Sequence, residues 1–80
     1  MGRYYLHLQE GRRISYDPDG FDLPDPNAAR DEAWRSAREL CDDALAEGRD
    51  ISRAAFLIVD EAGKLLGLVP LSSARSSVGQ

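Results

Sequence analysis

Hydrophobic and polar residues alternate with a period of two over "RYYLHLQ", residues 3–9. Tyr4, Leu6 and Leu8 fall on one side, and Tyr5, His7 and Gln9 on the other. That alternation predicts a strand whose two-leucine side faces the core. "EGRR" follows as a turn, and Ile14 to Tyr16 read as a short return strand. From Pro26 to about Glu47 the period changes to that of a helix. Ala29, Ala33, Trp34, Ala37, Leu40, Cys41, Ala44 and Leu45 fall in one stripe, opposite a face carrying Asp31, Glu32, Arg35 and Arg38. The centre of the stripe is alanine, so the helix can lie close to whatever it covers, with Trp34, Leu40 and Leu45 at the margins. Arg30 lies within the stripe, in the first turn, where it can reach solvent.

Two apolar runs follow, "AAFLIV" at 54–59 and "LLGLVPL" at 65–71, joined by the hairpin signal "DEAGK". Pro70 marks the second run as an edge strand or its last paired residue. The tail at 72–80 lacks periodicity and is expected to fray. The element order is β-β-α-β-β. A helix with one apolar stripe needs a sheet to cover, which predicts a two-layer α+β sandwich. About four mainly antiparallel strands would carry one long helix, in a single domain over residues 1–71.

The stretch "YDPDGFDLPDP" concentrates aspartate and proline between the return strand and the helix. "DPDG" suits the four positions of a type I turn. Asp25 suits an N-cap, and Pro26 the first helical position, where a missing N–H costs nothing. A calcium loop is excluded by spacing. With Gly20 at the glycine of an EF-hand loop, Ser15 takes the first ligand position and Pro26 stands where the bidentate glutamate belongs. The aspartates therefore read as turn and cap residues.

Composition narrows the functional classes. Eighty residues make one small domain with a thin core. The single cysteine, Cys41, cannot form an intramolecular disulfide, which points to a reducing cytoplasm. The N-terminal residues have no apolar leader-like run, and no stretch is long enough to cross a membrane. Fourteen acidic against ten basic residues leave a net charge of −4, which disfavours nucleic acid as a partner. Arg12, Arg13, Arg49 and Arg53 could still form a local patch.

The last two strands are apolar on both sides, yet one helix can cover only one side of a sheet. The sequence therefore predicts an outer face that buries itself against a second copy or another protein. Tyr5, His7, Phe56, Ile58 and Leu65 are the expected interface residues. On that assignment, a charge at Ile58 would dissociate a dimer while leaving the fold intact.

Little chemistry is visible. The one nucleophilic pair to consider is Cys41 with His7, but Cys41 lies on the buried helix stripe and His7 points away from the helix. His7 and Tyr5 could line a small-ligand site. One histidine and one cysteine do not make a zinc site without carboxylates or a second subunit. No catalytic residue, cofactor or metal is expected, and the chain does not read as an enzyme.

The segments "RYYLHLQEG", "GFDLPDPNAARDEAWRSARELCDDAL" and "VDEAGKLLGLVPL" resemble a family of small uncharacterised bacterial proteins, mostly rhizobial and alphaproteobacterial. That family reads "RYYFHL…DG", then "LPD…A…EA…A…L", then "DE-x-G…VPF". Tyr4, Tyr5, His7 and Leu8 match its first motif, Leu23, Pro24 and Asp25 its second, and Asp60, Gly63, Val69 and Pro70 its third. Leu71 stands where the family often has phenylalanine, and Cys41 where it often has an aliphatic residue. The resemblance implies the same domain boundaries and a bacterial cytoplasm, and no activity. The passage "DLPDPNAARDEAWRSARELCDDAL" is also similar to the strand-to-helix segment of HicB-type antitoxins, with Asp25 where they have glycine. That likeness implies, as an alternative, a partner that binds a toxin protein.

Overall fold

The sheet is organised around β1 (Gly2–Glu10) in the computed structural model, which describes residues 2–74. One edge of β1 pairs antiparallel with β4 (Ala54–Val59), which in turn pairs antiparallel with β5 (Leu65–Pro70). The other edge is shared by two short strands. β2 (Arg13–Ser15) pairs with the end of β1 through Leu8, Gln9 and Glu10, and β3 (Phe21–Leu23) with its start through Gly2, Arg3 and Tyr4. The order is thus β2-β1-β4-β5, with β3 also on β1, giving five strands where about four were expected. The additional strand is "FDL", too short to stand out by alternation. The architecture is α+β, an antiparallel sheet with one long helix.

The helix, α1 (Pro26–Ala46), begins and ends where its residues dictate. Asp25 is extended, and its side chain accepts from the Ala28 N–H at 2.9 Å, with Pro26 following as the first helical residue. At the far end the Gly48 N–H donates to Leu45 O and the Arg49 N–H to Ala44 O, at 3.1 and 2.8 Å. That pair of bonds is the glycine-terminated Schellman closure. Ala29, Ala33, Ala37, Cys41 and Ala44 are buried along one side. Trp34 and Leu45 sit at the margins with large exposed surfaces. Arg30 is exposed, its guanidinium lying over Gly67 of β5.

An alanine stripe contributes little volume, so the sheet supplies it. Leu6 pairs across the strands with Ile58, Leu8 with Phe56, and Phe56 with Val69. Directly paired residues share a face, so all of these point toward α1. Leu6, Ile58 and Val69 are buried with Ala29, Ala33 and Ala37, and Phe56 and Leu8 pack against them. This corrects the sequence-based placement of Phe56 and Ile58. They belong to the core face, and Ile58 is only 2% exposed. In an uninterrupted apolar run no polar residue marks which side is wet, so the register against β1 decides the parity.

The β4–β5 hairpin also departs from simple alternation. Ile58 pairs with Gly67 but Val59 with Leu65, so Leu66 is an extra residue at a register shift. The shift puts Leu65 and Leu68 on the same outer face and lets Leu66 pack against the core. In the connecting turn the Asp60 carboxylate accepts the N–H groups of Ala62 and Lys64 at 2.9 and 2.8 Å. Of the residues expected to fray, 72–74 are placed in the fold. Leu71 leaves the strand and opens a 3₁₀ turn, Leu71–Ala74, whose Leu71 and Ala74 are buried with the helix stripe. The remaining tail residues, 75–80, lie outside the described residues.

Candidate functional site: the outer sheet face and its loop

The face of the sheet away from α1 carries Tyr5, His7 and Gln9 from β1 and Ala55, Leu57 and Val59 from β4. β5 adds Leu65, Leu68 and Pro70. None of these side chains is charged; the charged pair Arg3–Asp22 lies on the same face where β1 meets β3. Leu65 is 57% exposed and Leu68 51%, while Leu57 and Val59 between them and β1 are half-buried. Of the five expected interface residues, the structure brings Tyr5, His7 and Leu65 to this face and removes Phe56 and Ile58 from it. Leu57, Val59 and Leu68 take their place. The signal that would have found them is the pairing of Ile58 with Leu6, which fixes every other position of β4.

An aromatic row closes one side of the face. The rings of Tyr5 and His7 stack with centroids 6.1 Å apart. Tyr16, 70% exposed, meets His7 edge-on at 5.0 Å. Tyr16 opens the loop that connects β2 to β3, and this loop runs along β1 where neither short strand pairs with it. "DPDG" is thus more than a turn, because it substitutes for strand pairing. The Asp17 carboxylate accepts the Leu6 N–H of β1 at 3.3 Å, and the Asp17 N–H donates to His7 Nδ1 at 3.0 Å. The same carboxylate accepts from Asp19 N and Gly20 N at 3.2 and 3.0 Å, closing the loop on itself. Arg3 fastens the far end, donating to Asp19 O at 2.7 Å and pairing with Asp22 at 3.2 Å.

Two consequences follow for the chemistry of the loop. Partial burial works against the Asp17 charge, but the backbone N–H bonds from Gly20, Leu6 and Asp19, aided by nearby His7, outweigh it. The Asp17 carboxyl is therefore held below the usual carboxylate value. His7 Nδ1 acts as an acceptor, so the proton of the neutral ring sits on Nε2.

The remaining candidates do not converge on a site. Cys41 is fully buried on the inward stripe of α1, and His7 is on the far side of the sheet, so the two do not meet. Among the described residues no group of three or more His, Cys, Asp or Glu side chains could hold a metal ion. Of the candidate arginine patch, the Arg12–Arg13 turn approaches Arg53 through a bond from the Gly11 N–H to Arg53 O at 3.0 Å. Arg49 pairs instead with Glu47 at 2.8 Å. A surface depression of about 690 Å³ is lined by Glu10, Arg12 and Arg13, and another of about 250 Å³ includes Leu45, Arg49, Ile51 and Ser72. Neither is lined by His7 or Tyr5. Among the described residues no helix is long and apolar enough to cross a membrane.

A single helix over an antiparallel sheet, with an aromatic and aliphatic face left uncovered, defines the class of this small α+β domain. The chain belongs to the family described as "Domain of unknown function (DUF6894)", which it matches over residues 3–72. No curated protein and no solved structure matches it.

Proposed function

We propose that this protein works by association rather than catalysis, burying the outer face of its sheet against a second copy of itself. The observation that carries the reading is the exposure of Leu65 and Leu68 on a face whose central positions hold no charge. They continue through Leu57 and Val59 to Tyr5, while α1 covers only the opposite side. A monomer gains nothing from such a surface, and a two-fold dimer buries the same patch twice. Tyr5, His7 and Tyr16 fit the rim of such an interface, being apolar rings with polar tips.

Leu68→Asp tests it. The side chain is half exposed, so the change should leave far-UV circular dichroism near the wild type while converting a dimer to a monomer, with thermal stability falling only by the association that is lost. A variant that stays dimeric would remove this face from the interface. Association with a different protein, the arrangement that the antitoxin likeness implies, would instead give a wild type that is monomeric alone. It would enter a mixed complex that Leu68→Asp abolishes.

A further inference from the structure

We propose that His7 is a proton-sensitive latch for the loop that closes the β1 edge of the sheet. It does not rest on self-association, because every group in it belongs to one chain. Between β2 and β3 the edge of β1 is held by a side chain and a loop in place of a strand. The Asp17 N–H donates to His7 Nδ1, and the Asp17 carboxylate accepts the Leu6 N–H. Both of these anchors pass through Asp17, so a change at the imidazole that ends one of them bears directly on the residue that makes the other.

With the ring neutral, Nδ1 offers a lone pair and the arrangement is satisfied. When the ring takes up a proton from solvent, that proton sits on Nδ1, and two N–H donors face each other across 3.0 Å. The other groups facing the ring are Tyr5 on β1, Tyr16 at the start of the loop, and the uncharged Leu57 across the pair on β4. Arg3, further along the face, is already engaged with Asp19 and Asp22. The anionic group that interacts with the ring is the Asp17 carboxylate, which stays ionised because its own titration lies below the usual carboxylate value. Turning it toward Nδ1 takes it from the N–H groups of Leu6, Asp19 and Gly20. Protonation exchanges a bond in which Asp17 donates for one in which it accepts, and the loop must leave its docked position to make the exchange.

Nitrogen-15 NMR on the wild-type protein, titrated from about pH 8 to about pH 5, tests the latch. The neutral imidazole should show the Nε2–H tautomer. The amides of Leu6, Asp17 and Gly20 should shift with the same midpoint as the imidazole. Protection of the Asp17 amide from exchange, corrected for its intrinsic rate, should fall by about fivefold to tenfold on protonation. In His7→Asn the side-chain oxygen can accept from Asp17 without titrating, so those amides should hold constant over the range. A neutral ring protonated on Nδ1, or amides that stay flat while the imidazole titrates, would overturn the proposal. The wild-type shifts decide it whether or not the variant folds.

Discussion

Gly20→Ala is expected to be among the most damaging single-methyl changes in the chain, and the contrast with Gly63→Ala isolates why. Both glycines have positive φ, +73° at Gly20 and +85° at Gly63, so alanine at either costs about 1–2 kcal/mol in backbone conformation. At Gly63 the added Cβ meets nothing within 4 Å, and the cost ends there. At Gly20 it would lie 2.9 Å from Tyr4 O, 2.9 Å from the Tyr5 ring and 3.0 Å from Arg3 Cγ. The ring and the arginine stem can shift, but the Tyr4 carbonyl belongs to β1 and to its pairing with Phe21. Relief therefore comes from lifting the loop, which strains packing by about 1–3 kcal/mol and weakens the bond from Gly20 N–H to the Asp17 carboxylate. Gly20→Ala should then lose about 2–3 kcal/mol more than Gly63→Ala. At about 4–8 °C per kcal/mol for a domain of this size, its melting temperature should be lower by about 10–20 °C. Thermal and urea unfolding followed by circular dichroism measure both. Equal losses in the two variants, within about 0.5 kcal/mol, would refute the claim that the loop is seated tightly on β1.

Ile58→Asp should prevent folding rather than merely dissociate subunits, because it puts a carboxylate at a 2% exposed position between Leu6 and the alanine stripe. The penalty of several kcal/mol rivals the whole stability of a small domain. A folded monomeric variant by circular dichroism would restore Ile58 to the outer face. Asp25→Ala removes the acceptor for the Ala28 N–H and should cost about 1 kcal/mol in urea unfolding, with Asp25→Asn retaining most of it. The Asp17 carboxyl is depressed in the folded state, so its contribution to stability is present above the unfolded value and lost as pH falls through the lower folded one. Stability measured against pH should decline in that acid window, and Asp17→Asn should flatten that part of the decline.

What the sequence makes legible is whatever a short-range pattern encodes. The Asp25–Pro26 start and the Gly48 end of α1 are local chemistry, and the helix runs between them as expected. The alternation of β1 is broken by polar residues, so its leucine side is found inward. The run 54–59 carries no such marker, and its faces are set by pairing with β1 across more than forty residues of chain, a tertiary fact. Hence Phe56 and Ile58 exchange sides with Leu57 and Val59. The register shift at Leu66 is invisible for the same reason. Asp17 is recognisable from sequence as a turn residue. Its second role, holding Leu6 and His7 of β1, appears only when the loop is laid along the strand. The apolar surplus of the last hairpin is plain in composition, while the identity of its exposed members needed the register.

The most direct test of self-association is the molar mass of the protein in solution, by light scattering on a sizing column at micromolar concentration. Self-association through the outer face gives a mass near twice 8.8 kDa, falling to the single value in Leu68→Asp. A wild-type protein of 8.8 kDa across that range would contradict it.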